Sequence, residues 1–107
     1  MIPENIRIRG ATRENRYEMI DYAVHCIHTS SGWITNHNTF SDKVIVIHFE
    51  IEIKGVRRLL ELLNGNGLKL LDESVQVIEN FPEAIEKEYG DKEIKGSIQI
   101  TFISAIS

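Results

Sequence analysis

Three side chains suited to proton transfer lie near one another in the middle of the chain: His37, His48 and Glu50. An imidazole titrates near neutral pH and a carboxylate can orient it, so together they could act as a general acid or base. No nucleophile with an adjacent base accompanies them, and no catalytic residue is predicted. A small enzyme using this cluster is therefore an alternative hypothesis, which requires His37 and His48 to share one face of a sheet.

A second group, His25, Cys26 and His28, falls within one predicted helix. The two histidines are close enough in angle to share a metal ion, but zinc needs three or four ligands and Cys26 points to the other side of the helix. We therefore predict neither a metal site nor a cofactor. Cys26 is the only cysteine, which excludes an internal disulfide, and it is best interpreted as a small apolar side chain.

The glycine-rich segment 65–67 could be mistaken for a phosphate-binding loop. Gly65-Asn66-Gly67 is not followed by the Gly-Lys-Ser/Thr that cradles phosphate, so the segment is predicted to be a turn.

The segment 43–54 is the element that must position His48 and Glu50. Its residues alternate between two parities, and the β-branched and apolar members indicate a long strand. One parity is wholly apolar and must be covered: Ile45, Ile47, Phe49, Ile51 and Ile53. The other begins with Val44 and Val46 and ends with charged residues, which predicts a face open to water or to a partner.

The remaining patterns predict further strands and helices. Strands are expected at 5–9, 33–40 and 94–103, and helices at 13–29, 56–63 and 68–79, with a short helix from Pro82 to Tyr89. The segment 74–78 also alternates, so 68–79 could instead contain a strand. The loop of the 33–53 hairpin could hold two or three residues, and a shift by one residue would move every side chain of the first strand to the other face.

The predicted element order, strand-helix-strand-strand-helix-strand, resembles that of ferredoxin-like domains, over one domain spanning 1–107. The resemblance implies an α+β sandwich with an antiparallel sheet, helices on one face, and the first and third strands as central neighbours. The uncovered face would then bring Arg7 or Arg9 close to Glu50 or Glu52. The full predicted set on this face is Arg7, Arg9, His48, Glu50, Glu52, Gln99 and Thr101.

The composition of the chain limits the classes of function that it could have. The chain has 107 residues, 42% hydrophobic and 26% charged, with a formal net charge of −4. This balance argues against nucleic acid as a partner, because phosphate binding requires a basic surface. Residues 1–4 have no signal-peptide pattern and no run of apolar residues is long enough to span a membrane, so cytoplasmic residence and no membrane association are expected.

Charge is unevenly distributed along the chain. The segment 72–93 holds eight acidic residues against two lysines, a net charge of −6. It is predicted to be a solvated helical surface, and a docking site for a basic partner is the other interpretation.

These observations favour a small soluble binding or regulatory domain rather than an enzyme. The element order also resembles that of small regulatory domains of the ACT type, which often dimerise to bind amino acids at the interface. Their ligand loop holds an Asp and a Gly, and here Gly10 is present while the Asp is absent. We expect a homodimer formed through the open sheet face, or a small-molecule ligand bound there. The predicted ligand-binding residues are Arg7, Arg9, His37, His48, Glu50 and Glu52.

Overall fold

Five strands and four α-helices make up the computed structural model, which describes residues 2–103. The strands are β1 (Asn5–Thr12), β2 (Gly32–Ser41), β3 (Val44–Glu52), β4 (Leu68–Leu70) and β5 (Glu93–Phe102). The helices are α1 (Arg16–Thr29), α2 (Val56–Leu63), α3 (Asp72–Val75) and α4 (Glu83–Tyr89), with 3-10 turns at Ile53–Gly55 and Gln76–Asn80. No helix in this part of the chain is long and apolar enough to cross a membrane.

The strands form a single mixed sheet in the order β2-β3-β5-β1-β4. β5 runs parallel to β1 and antiparallel to β3, and it separates these two strands along their whole length. The prediction of an antiparallel ferredoxin-like βαββαβ sandwich is therefore wrong. Two features contradict it: residues 68–70, which we predicted to be helical, form the edge strand β4 beside β1, and the last strand of the chain lies between β1 and β3, parallel to β1.

One face of this sheet packs against the helices. The alternate residues of β1, β3 and β5 that include Ile8, Ile47 and Ile98 are buried, and they form one core with the inner faces of α1 and α2. The intervening residues of the same strands are half-buried or exposed. In each of the three central strands, every second side chain therefore packs in the core. The side chains between them lie on the opposite face of the sheet, which we call the open face.

The register of the β2–β3 hairpin decides which face each β2 side chain occupies. Ser41 pairs with Val44, which leaves a two-residue loop, and the pairing is irregular between Ile34 and Asn36 and again between Thr39 and Ser41. Asn36 pairs with His48, whereas His37 pairs with Ile47, a core residue. Asn36 therefore lies on the open face and His37 on the helix side.

A capping side chain and two glycines determine where α1 begins and how the chain turns after α2. The side chain of Asn15 accepts hydrogen bonds from the backbone N–H groups of Tyr17 and Glu18, so α1 begins at Arg16. After α2, Gly65 and Gly67 adopt positive φ values of 110° and 89°, which glycine tolerates without strain. The chain can therefore turn sharply from α2 into β4.

Cys26 provides a pH-dependent test of this core. Its side chain is buried on the inner side of α1, and burial raises the pKa of the thiol; burial likewise raises the pKa of the nearby Tyr22 hydroxyl. The unfolded chain therefore loses these protons at a lower pH than the native protein, and stability falls as the pH rises above about 8.5. Urea denaturation should show a lower free energy of unfolding at pH 9.5 than at pH 7. Cys26→Ala should reduce that loss, and an equal loss in both proteins would contradict this account.

Candidate functional site: the open face of the sheet

Side chains on the open face form rows that run across the strands. In the central row, Asn36 of β2, His48 of β3, Ser97 of β5 and Arg7 of β1 lie side by side. On one side of it lies a row formed by Trp33, Glu50, Lys95 and Asn5, and on the other side a row formed by Asn38, Val46, Gln99 and Arg9. Beyond the row that contains Arg9 lies a further row, which contains Val44, Thr101, Ala11 and Lys69. The face is therefore mostly polar, and Val44, Val46 and Ala11 are apolar side chains near the β2–β3 turn.

The structure places five of the six predicted ligand-binding residues on this face: Arg7, Arg9, His48, Glu50 and Glu52. It does not bring the arginines next to the glutamates, because β5 lies between β1 and β3. Arg7 is opposite Ser97, and Glu50 is opposite Lys95. The predicted cross-strand contact between arginine and glutamate within one chain is therefore wrong.

His37, the sixth predicted residue, lies on the helix side beside Ile34 and Thr39. The proposed proton-transfer cluster of His37, His48 and Glu50 is therefore divided between the two faces of the sheet. His48 contacts Asn38 instead, with 3.3 Å between His48 Nε2 and Asn38 Nδ2. Since an amide nitrogen only donates, Asn38 is the donor in this contact. Within residues 2–103, no group of three potential ligands could hold a metal ion.

Charge on the open face is divided between its two halves. β3 carries Glu50 and Glu52 and β1 carries Arg7 and Arg9, while β5 between them carries Glu93 and Lys95. Arg9 forms an ion pair with Glu73 of α3. Glu52 forms one with Lys54, with 3.6 Å between Glu52 Oε2 and Lys54 Nζ. In the described part of the chain, Arg7 and Glu50 have no ion-pair partner. One basic and one acidic side chain on opposite sides of β5 are thus free to contact another molecule.

A shallow cavity of about 450 Å³ lies at the β2 side of the open face. It is lined by Thr35, Asn36, His48, Phe49, Glu50 and Lys95. Its volume is within the range of small-molecule sites, about 300–1,000 Å³, but its lining is more polar than that of most such sites. A small-molecule ligand at this position stays a prediction.

Several open-face residues, among them Asn36, Asn38, Lys95 and Ser97, were not predicted as site residues. Lys95 and Ser97 could have been found, because they share the parity of Gln99, which was placed on this face. Asn36 and Asn38 could not, because their face depends on the irregular pairing at Thr35, which no residue pattern in the sequence predicts.

The acidic segment 72–93 is partly neutralised within the fold. Four of its eight acidic side chains form ion pairs inside the chain: Glu73 with Arg9, Glu83 with Lys87, Glu86 with Arg57, and Asp91 with Lys54. These contacts reduce the net negative charge that a basic partner would meet. Docking through this segment stays a prediction.

Comparison of the chain with protein-family models, with curated proteins and with solved structures found no match.

Proposed function

We propose that this chain is a non-catalytic binding domain of the cytoplasm that forms a homodimer through its open face. The observation that carries the proposal is the position of two charges without an ion-pair partner in residues 2–103, Glu50 on β3 and Arg7 on β1, on opposite sides of β5. A surface with opposite charges on either side of its centre can be complementary to itself. A two-fold symmetric interface requires that property, because both copies use the same patch.

Symmetry determines how two such faces would meet. A two-fold axis parallel to β5 places β1 of one copy over β3 of the other. Arg7 then lies opposite the second copy's His48, one row away from its Glu50. An axis perpendicular to the strands would place β1 over β1 and would bring arginines together. The first arrangement is therefore the one that the charges favour.

Other side chains of β3 and β5 supply the rest of the contact. Val44 and Val46 are only half-buried in a single copy, and β5 contributes Ser97, Gln99 and Thr101 along the axis. Lys95 of β5 also lies on the axis, opposite Lys95 of the second copy, and each of these lysines has Glu50 beside it in the same row. Five strands about 4.8 Å apart, with an average length of about eight residues at about 3.3 Å per residue, present a face of about 600 Å². A standard stable interface uses about 800 Å² per partner, so we expect a reversible dimer with a dissociation constant near the micromolar range.

Charge reversal tests this arrangement. In a dimer of Arg7→Glu, the new glutamate at position 7 of each copy lies near Glu50 of the other copy, so two repulsive contacts form. In a dimer of Glu50→Arg, the new arginine at position 50 of each copy lies near Arg7 of the other, which is equally repulsive. Each single variant should raise the dissociation constant of the dimer about tenfold or more, since about 1.4 kcal/mol spread over two contacts is sufficient. An equimolar mixture of the two variants restores opposite charges at both contacts. Sedimentation equilibrium should therefore show a heterodimer in the mixture and weaker association for each variant alone.

Matched controls use residues outside the open face. Arg58→Glu and Glu61→Arg make the same changes of charge on exposed positions of α2. Each should associate like the wild-type protein, and mixing them should have no effect. Variants at Arg7 and Glu50 that associate like these controls, or a mixture with no more dimer than its components, would contradict the proposal.

A further inference from the structure

The outer edge of β2 is a sheet edge without charged residues or proline. β2 is the terminal strand of the sheet, and its ten residues, Gly32–Ser41, include no Lys, Arg, Asp, Glu or Pro. The alternate N–H and C=O groups that point away from β3 have no strand beside them within residues 2–103. Natural proteins usually protect such edges with lysine, proline or a covering segment. This edge has two pairing irregularities, but it has no lysine or proline, and no strand within residues 2–103 covers it.

The opposite edge of the sheet is protected. β4 has only three residues, and beyond it the chain continues to cover β1. The Leu71 N–H donates to the Arg9 carbonyl, and the Arg9 N–H donates to the buried Ser74 Oγ. The fold therefore leaves one long edge accessible while it closes the other.

An apolar groove of about 440 Å³ runs between the open β2 edge and α1. Its apolar wall on α1 consists of Tyr17, Ile20 and Val24, and its β-sheet side consists of Ile34, His37, Thr39, Ile45 and Ile47. Arg16 lines one end of the groove, where its guanidinium donates a hydrogen bond to the Asp42 carbonyl. Tyr17 is 74% exposed and Phe40, near the end of β2, is 68% exposed. A strand added to β2 would point every second side chain towards this groove, as in peptide recognition by β-augmentation.

We propose that β2 accepts an extended peptide segment of a partner protein as a sixth strand, with small aliphatic side chains of that segment in the groove. The absence of charge along β2 matches an uncharged segment. A second copy is the less favourable occupant: two β2 edges about 33 Å long and about 10 Å deep would bury about 300 Å² each, well below the 800 Å² of a standard interface. A peptide gains contacts from both the edge and the groove. This surface is separate from the open face, so a dimer formed there leaves the β2 edge accessible.

The test uses a phage-displayed library of random decapeptides, selected on the wild-type protein. We expect enriched sequences with aliphatic residues at alternate positions and few charges. On binding of a synthetic enriched peptide, amide signals of β2 and α1 should shift in ¹⁵N-HSQC spectra, and amide exchange along β2 should slow. Thr39→Lys, at an exposed groove position, should weaken binding at least tenfold. Gln76→Lys, an exposed change away from the groove, should leave binding unchanged.

Three results would overturn this proposal. They are the absence of enriched peptides, signal shifts confined to the open face, and equal binding by Thr39→Lys and the wild-type protein. Loss of self-association in Thr39→Lys, without peptide binding, would identify a second copy as the occupant and would also overturn it. Since Arg7→Glu leaves β2 unchanged, that variant should bind the peptide whether or not it dimerises, so the two proposals can fail separately.

Discussion

Replacing Gly55 with alanine is expected to lower the free energy of unfolding by about 3 kcal/mol or more, at the upper end of the usual cost of overpacking. Gly55 lies at the start of α2, and a Cβ atom there would overlap the backbone carbonyl oxygen of Ser30 and lie 2.8 Å from its carbonyl carbon. Ser30 ends α1, so the clash can be relieved only by moving one helix away from the other. The φ of Gly55 is −94°, which any residue adopts, so the cost comes from the contact alone.

Urea denaturation followed by circular dichroism measures this effect. The control is Gly65→Ala, where a Cβ atom would have no atom within 4 Å but φ is 110°. We expect that control to cost about 1 kcal/mol, from backbone strain alone. A Gly55→Ala protein as stable as Gly65→Ala would show that α1 and α2 do not approach as closely as described.

Gly96→Ala is expected to cost about 2 kcal/mol because Gly96 accommodates the ring of Phe49. The two residues are directly opposite each other in the β3–β5 pair, and Phe49 is 1% exposed. A Cβ atom at Gly96 would overlap Phe49 Cζ, lie 2.7 Å from its Cε2, and lie 2.9 Å from Ile6 Cγ1. The contact helps to hold β3 and β5 in the register that aligns His48 with Ser97 on the open face.

A double-mutant cycle separates this contact from general destabilisation. Phe49→Leu removes the ring atoms Cζ and Cε2 that the new Cβ would meet, so Gly96→Ala should cost less in the Phe49→Leu background than in the wild-type protein. We expect a coupling free energy of about 1 kcal/mol, measured by urea denaturation of all four proteins. Strictly additive costs would mean that the ring does not occupy the space above Gly96.

The alternation in β3 was sufficient to predict which of its side chains are buried. Ile45, Ile47, Phe49 and Ile51 are all in the core, and His48 and Glu50 are on the opposite face. This prediction succeeded because a period of two is a local property of one strand. It required no knowledge of which strand lies next to it.

Strand order was not predictable in the same way, because β3 and β5 carry similar alternating isoleucines and either could neighbour β1. The signal that was missed is Gly96 in the middle of the last strand: a glycine in a strand often marks a close approach, and here it lies opposite Phe49. The three-residue β4 was interpreted as helix because Leu68 and Leu71 also fit a helical spacing. The prediction of the open-face site therefore contained the correct parities for β1 and β3, but the wrong neighbours.

Self-association of the wild-type protein is the most direct test of the proposed function. Sedimentation equilibrium over increasing concentration should give a mass that rises from 12.3 kDa towards twice that value, with half of the chains paired near micromolar concentrations. A mass that stays at 12.3 kDa up to the solubility limit would contradict a homodimer formed through the open face.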